Sequence, residues 1–156
     1  MALFVGEFDQ TIDTKHRLAI PSPLREQIVQ GEDGKEFYLI LGPDRHLWLY
    51  PDKYYRHLLG TLQRSPLPSR KNQKGDLLFA FARVLKPDAQ GRIVLPDKAM
   101  QRATVSDRIT LIGKGDHIEL WPTDEWERYV EEALTRYSED VLDAGDGLSS
   151  SVGTDK

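Results

Sequence analysis

Asp13-Thr14-Lys15-His16-Arg17-Leu18-Ala19-Ile20-Pro21 returns later in the chain as Asp88-Ala89-Gln90-Gly91-Arg92-Ile93-Val94-Leu95-Pro96. Both copies read Asp, three residues, Arg, three apolar residues, Pro. A second echo follows each: His46-Leu47-Trp48-Leu49-Tyr50-Pro51, then His117-Ile118-Glu119-Leu120-Trp121-Pro122. The first pair is offset by 75 positions and the second by 71. Gly31-Glu32-Asp33-Gly34-Lys35, which reads as a loop, is the natural place for the four extra residues of the first half. Internal repetition dictates architecture. Here it predicts two pseudo-symmetric halves that share one core, residues 1–63 and 77–137, joined by a connecting segment over 64–76 and followed by an acidic tail over 138–156.

A half of about 70 residues buries only a marginal core alone, so packing the halves together is the cheaper solution. The 156-residue chain has no Cys, which excludes disulfides and cysteine metal sites and fits a reducing compartment. It shows no signal-peptide pattern at Met1–Glu7 and no apolar run of the roughly 18 residues that cross a bilayer. The expectation is a soluble, cytoplasmic protein. The net charge of −4 is carried by the tail, where five acids face Lys156, and the rest of the chain balances 20 bases against 20 acids. Arg64, Arg70, Lys71 and Lys74 cluster in a stretch without acids, and Arg83 and Lys86 precede the second repeat. Such clusters, rather than the overall sign, decide contact with phosphate.

Each half predicts strand, Arg turn, strand, short helix, strand, turn, strand, longer helix, which makes the fold class α+β. Phe4–Ile12 and Leu18–Ile20 are strand candidates, and Ser22 with Pro23 marks a helix start. Phe37–Leu41 and Leu47–Tyr50 read as a hairpin about Gly42-Pro43-Asp44, with a helix from Asp52. In the second half Leu77–Leu85 is predicted as a strand, Pro96-Asp97 as a helix start, and Arg108–Ile112 with His117–Trp121 as a hairpin. Trp126, Tyr129, Val130, Ala133, Leu134 and Tyr137 recur at helical spacing behind Thr123, which is placed to cap. From Ser138 the composition predicts disorder.

The Arg turns carry the functional signal. Asp favours the first position of a turn because its carboxylate accepts nearby backbone N–H groups. The fourth position of a three-residue bulged hairpin needs positive φ, which Gly91 supplies and His16 tolerates. Asp13, Asp88 and Gly91 therefore shape the turns, and Arg17 and Arg92 open the outgoing strands. One such Asp–Arg pair reads as a salt bridge that stiffens a hairpin. Two, brought together by pseudo-twofold packing, form a paired feature that stability does not require. Paired β elements can enter the major groove of DNA, where Arg donates two hydrogen bonds to guanine O6 and N7.

The two Asp-x-x-x-Arg motifs, the apolar-Pro segments after them and the Leu120-Trp121-Pro122 segment before the last helix resemble the MraZ family of bacterial transcriptional regulators of the division and cell wall gene cluster. The resemblance covers roughly residues 1–137. It implies a duplicated swapped-hairpin fold of the AbrB/SpoVT type, a small β-barrel with peripheral helices. It also implies a ring-like homo-oligomer at the nucleoid that reads direct repeats in a promoter, as a repressor, without cofactor or small-molecule substrate. Carried over residue by residue, Arg17 and Arg92 become contacts to double-stranded DNA, with Asp13 and Asp88 shaping the turns. Beside them Lys15 is expected as a phosphate partner, and His16 is expected either to twist the first turn or to add a phosphate contact. The family has Gly immediately before the first Arg, where this chain has His16.

An enzyme is the first rival, since His46 and His117 occupy equivalent positions. No His pair has i, i+4 spacing, however, and no Gly-rich phosphate loop precedes a helix, so no metal or catalytic site is expected. Both are expected to be structural. The second rival is an oligomeric protein-interaction module that does not bind DNA specifically, built on Trp48, Trp121, Trp126 and the Tyr residues.

Overall fold

Pro21 and Pro96, which have no N–H to donate, each close a three-residue strand, and the partners of those strands reveal how the halves interlock. The computed structural model describes residues 1–62 and 65–153. It divides into two compact units, Met1–Thr123 and Asp124–Lys156. In the first half the elements are β1 (Glu7–Thr11), β2 (Arg17–Ala19), α1 (Ser22–Arg25), α2 (Gln30–Asp33), β3 (Phe37–Leu41), β4 (Leu47–Pro51) and α3 (Asp52–Gly60). After α4 (Arg70–Lys74) and α5 (Asp76–Ala80), the second half has β5 (Arg83–Leu85), β6 (Arg92–Val94), α6 (Asp97–Ala103), β7 (Arg108–Gly113) and β8 (Ile118–Pro122). The chain continues as α7 (Thr123–Leu134) and α8 (Tyr137–Gly153).

The fold is α+β. Its larger sheet has the order β1-β7-β8-β4-β3-β5, and β2 pairs with β6 in a separate ribbon. That order is palindromic in the repeat: β1 corresponds to β5, β7 to β3, and β8 to β4. Each half sends its first strand into the other, β1 antiparallel to β7 and β5 antiparallel to β3. The strands flanking each Arg turn thus part company directly beyond it, as in a swapped hairpin. Leu18, Ile20, Leu24, Leu39, Leu47 and Leu49 from the first half meet Ile93, Leu95, Ile109, Leu111, Ile118 and Leu120 from the second in one core, all buried.

Four differences from the sequence expectations have local causes. Strand β1 starts at Glu7, not Phe4, because Gly6 takes φ 100°; Phe4 instead makes an isolated bridge with Gly115. The Gly31–Lys35 loop contains one helical turn, α2, whose Asp33 is buried and accepts from the backbone N–H groups of Ala2 and Val29. Leu77–Leu85 is not one strand. Ser69 caps α4 by accepting from the Asn72 N–H, helical geometry resumes past Gly75 as α5, and only Arg83–Leu85 is extended. A short apolar run does not by itself distinguish strand from helix. Finally, Thr123 is the first residue of α7, and its hydroxyl lies 3.2 Å from that of Thr110.

In the second unit, Trp126 and Tyr129 of α7 stack at 5.5 Å. The tail expected to lack order is helical from Tyr137 to Gly153, with Arg136 and Asp140 paired at its start. Composition measures how much apolar surface a segment can bury, whereas a helix pairs its own backbone groups without burying any. Val141, Leu142 and Leu148 accordingly remain exposed. Of the basic cluster in the connecting segment, Arg64 lies outside the described residues.

Candidate nucleic-acid interface

The two Arg turns have the same hydrogen bonds, atom for atom. In the first, Asp13 Oδ1 accepts from the N–H groups of Lys15 (2.9 Å) and Arg17 (2.8 Å), and Asp13 Oδ2 accepts from Arg17 Nε at 2.7 Å. In the second, Asp88 Oδ1 accepts from Gln90 and Arg92, both at 2.9 Å, and Oδ2 from Arg92 Nε at 2.8 Å. Backbone bonds close each loop: His16 N–H to Asp13 O and Gly91 N–H to Asp88 O, both 3.0 Å. The fourth position has positive φ in both, 61° at His16 and 77° at Gly91, as the turn chemistry requires.

Each Asp therefore does two things. One oxygen satisfies the loop's backbone, and the other holds the Arg side chain by Nε, leaving its two terminal amino groups as the donors that can face a ligand. The Arg17 backbone N–H, more than any other contact, holds the Asp13 carboxyl below the usual carboxylate range, and the Arg92 N–H does the same for Asp88. The carboxylates stay ionised into mild acid, and the turns keep their shape with them.

The β2–β6 ribbon sets the arginines on one surface. Its register pairs Arg17 with Val94, Leu18 with Ile93, and Ala19 with Arg92. Side chains alternate across a strand, so Leu18 and Ile93 point into the core while Arg17, Ala19, Arg92 and Val94 share the outer face. Arg17 and Arg92 are diagonal neighbours there, about 7–8 Å apart at the backbone. Their side chains are roughly one-third exposed, 34% and 32%. Lys15 is exposed at the tip of the first turn. His16 Nδ1 lies 2.6 Å from Asp97 Oδ1 at the start of α6, a partner the sequence reading missed.

The second echo is structural. His46 stacks on Trp121 at 3.9 Å and Trp48 on His117 at 4.0 Å, so each His is covered by the other half's Trp across the β4–β8 pairing. His117 Nδ1 lies 2.8 Å from Asp116 Oδ1, and Nε2 lies 2.8 Å from Glu119 Oε2. Trp121 donates to Glu119 Oε1 and Tyr54 to Asp116 Oδ2. Burial works against the imidazolium, but the Glu119 and Asp116 bonds outweigh it and raise the His117 pKa. Both ring nitrogens of His117 and every carboxylate oxygen of Asp116 and Glu119 are engaged within the protein. Among the described residues no helix is long and apolar enough to cross a membrane.

The MraZ protein family model matches this chain over residues 3–75 and again over 78–144. A protein of Herpetosiphon aurantiacus named "Transcriptional regulator MraZ" is 36% identical over 131 residues, 83% of this chain and 87% of the relative. Relatives of the same name from Clostridium tetani and Finegoldia magna are 34% identical over 129 residues and 29% identical over 148, covering 81% and 94% of this chain and 87% and 97% of their own lengths. Both the swapped pairing and these matches span the two halves, and the chain belongs to the MraZ family.

Proposed function

We propose that this chain is a transcriptional regulator that binds double-stranded promoter DNA through its two Arg turns. The observation that carries the proposal is the pair of identically bonded turns with Arg17 and Arg92 on one outer face of the β2–β6 ribbon. Nε is committed to Asp in each, so the terminal amino groups are aligned to donate two bonds to one acceptor edge, the geometry of guanine recognition. The relatives' name, transcriptional regulator, supports the same function. Lys15 and His16 border the first turn as phosphate contacts, which position the protein without reading sequence.

One subunit with two such contacts binds weakly. A homo-oligomer, arranged as a ring over direct repeats, multiplies the contacts by raising effective concentration. Leu77 and Leu78 of α5, 60% and 44% exposed, and Val84 of β5, 45% exposed, offer apolar surface for that assembly. We assign the protein to the cytoplasm, at the nucleoid, as a repressor.

The test is a titration of the purified protein against its own upstream DNA and a scrambled fragment at several salt concentrations. A preference of about 10³-fold or more is expected, the lower bound of specific over non-specific binding. Equal affinity for both fragments, with equal salt dependence, would reduce the contact to phosphate attraction. A folded oligomer that binds neither would leave a protein-interaction module.

A further inference from the structure

We infer that Arg25 is a phosphate-binding residue of the second turn, where the equivalent position of the first turn holds Met100, so that the two DNA-reading turns meet the backbone through different residues. This rests on the proposal that the turns contact DNA.

Each turn is braced by the opposite half. Leu95 donates its N–H to His16 O at 2.9 Å, and Ile20 donates to Gly91 O at 3.0 Å. Behind the second turn, Arg25 of α1 donates from Nε to Ile20 O at 2.9 Å, which fixes the plane of its guanidinium. That plane lies against Gly91. A Cβ at Gly91 would stand 2.7 Å from Arg25 Nε and 2.8 Å from its Cδ and Cζ. Only glycine leaves room for the guanidinium there.

The offset of 75 places Met100 where Arg25 stands and His16 where Gly91 stands. The first turn has a His/Met pair in place of the Gly/Arg pair, and His16 Nδ1 lies 2.6 Å from Asp97 Oδ1. Charge is therefore distributed differently. At the first turn Arg17 faces Asp13, His16 faces Asp97, and the exposed Lys15 stands at the loop tip where the second turn has Gln90. At the second, Asp88 is committed to Arg92, and among the described residues Arg25 has no carboxylate partner. Arg25 is exposed, and Lys35 lines the same cleft beside Asp88, Ala89 and Gly91.

Bracing Ile20 O uses Nε alone, and among the described residues no hydrogen bond engages the remaining donors. A fixed, uncompensated guanidinium beside a base-reading arginine is suited to a backbone phosphate.

The test compares wild type, Arg25→Met, Arg25→Lys and Arg92→Ala on the upstream fragment and on scrambled DNA, over a salt series. Arg25→Met copies the first half's own residue and keeps the length of the stem. It is expected to weaken binding to both DNAs by the same factor, leave their ratio intact, and flatten the log K against log salt slope by about 1 for each engaged subunit. Arg25→Lys keeps the charge but not the fork, and is expected to retain the slope. An unchanged slope in Arg25→Met, or a changed ratio between the two DNAs, would overturn the inference and leave Arg25 as a brace. Arg92→Ala reads the underlying proposal separately: if it leaves the ratio intact, the turns do not read sequence, whatever Arg25 does.

Discussion

Replacing Arg17 and Arg92 together by alanine is expected to erase the preference for operator DNA while leaving the protein folded. Each bidentate contact to a base discriminates by about 1–3 kcal/mol. Removing one arginine should therefore lower the operator preference by about 5- to 150-fold in each subunit, and removing both should bring it close to that of scrambled DNA. Folding should hardly register the change. The inward residues of the ribbon, Leu18 and Ile93, are untouched, and the two Asp–Arg pairs are solvated at the surface. Asp13 and Asp88 retain their backbone bonds to residues 15, 17, 90 and 92, so the loops keep their closure. Thermal melting beside the binding titration separates the two effects. A melting temperature that falls with affinity would mean the arginines serve the fold.

His117→Ala is expected to do the reverse, costing about 3–5 kcal/mol of stability, the usual penalty for removing one partner of a buried ionic group. His117 is 9% exposed and Glu119 is 6% exposed. Both ring nitrogens face carboxylates, so the ring that satisfies both is the doubly protonated imidazolium. Without it, Glu119 retains the Trp121 indole and Asp116 retains Tyr54, but two carboxylates lose the cation between them, and Trp48 loses its stacking partner.

The pH dependence follows with a definite sign. The folded pKa of His117 is raised, so its contribution is complete below the ordinary histidine pKa and is lost as pH rises through the raised value. Asp116 and Glu119 feel burial first, but their bonds to His117, with Tyr54 and Trp121, bring both pKa values below the usual range. Their contribution is present above the ordinary carboxylate pKa and is lost as pH falls through the lowered values. Urea unfolding across pH should show stability falling on the alkaline side in wild type and much less so in His117→Ala. The same alkaline fall in both proteins would place its cause elsewhere.

Much of this arrangement is legible before any coordinate. The repeat of Asp13–Pro21 in Asp88–Pro96 implies pseudo-symmetry, and the palindromic sheet order is its direct consequence. Turn chemistry alone places positive φ at His16 and Gly91, where the structure has it. The two hairpins, β3–β4 and β7–β8, follow from alternating apolar segments around Gly42-Pro43-Asp44 and Gly113–Asp116. What is not legible depends on partners distant in sequence. Leu77–Ala80 is apolar enough for a buried strand, yet it is helical, following directly on α4, which Ser69 caps, and Gly75. The contacts of His16 with Asp97 and of Arg25 with Gly91 arise only after the halves exchange strands, which brings α6 to the first turn and α1 to the second. The one available signal was the residue-by-residue comparison of the repeats, where Gly91 and Arg25 change together into His16 and Met100.

The central claim, that these arginines read base edges, is most directly tested by a double cycle between protein and DNA. Guanines in the operator repeats are replaced by 7-deazaguanine, which lacks the N7 acceptor, and affinity is measured for wild type and for Arg17→Ala/Arg92→Ala. A loss of about 1–3 kcal/mol is expected for at least one guanine position with wild type, and none at that position with the variant. An equal penalty for both proteins at every position, or no penalty with either, would contradict it.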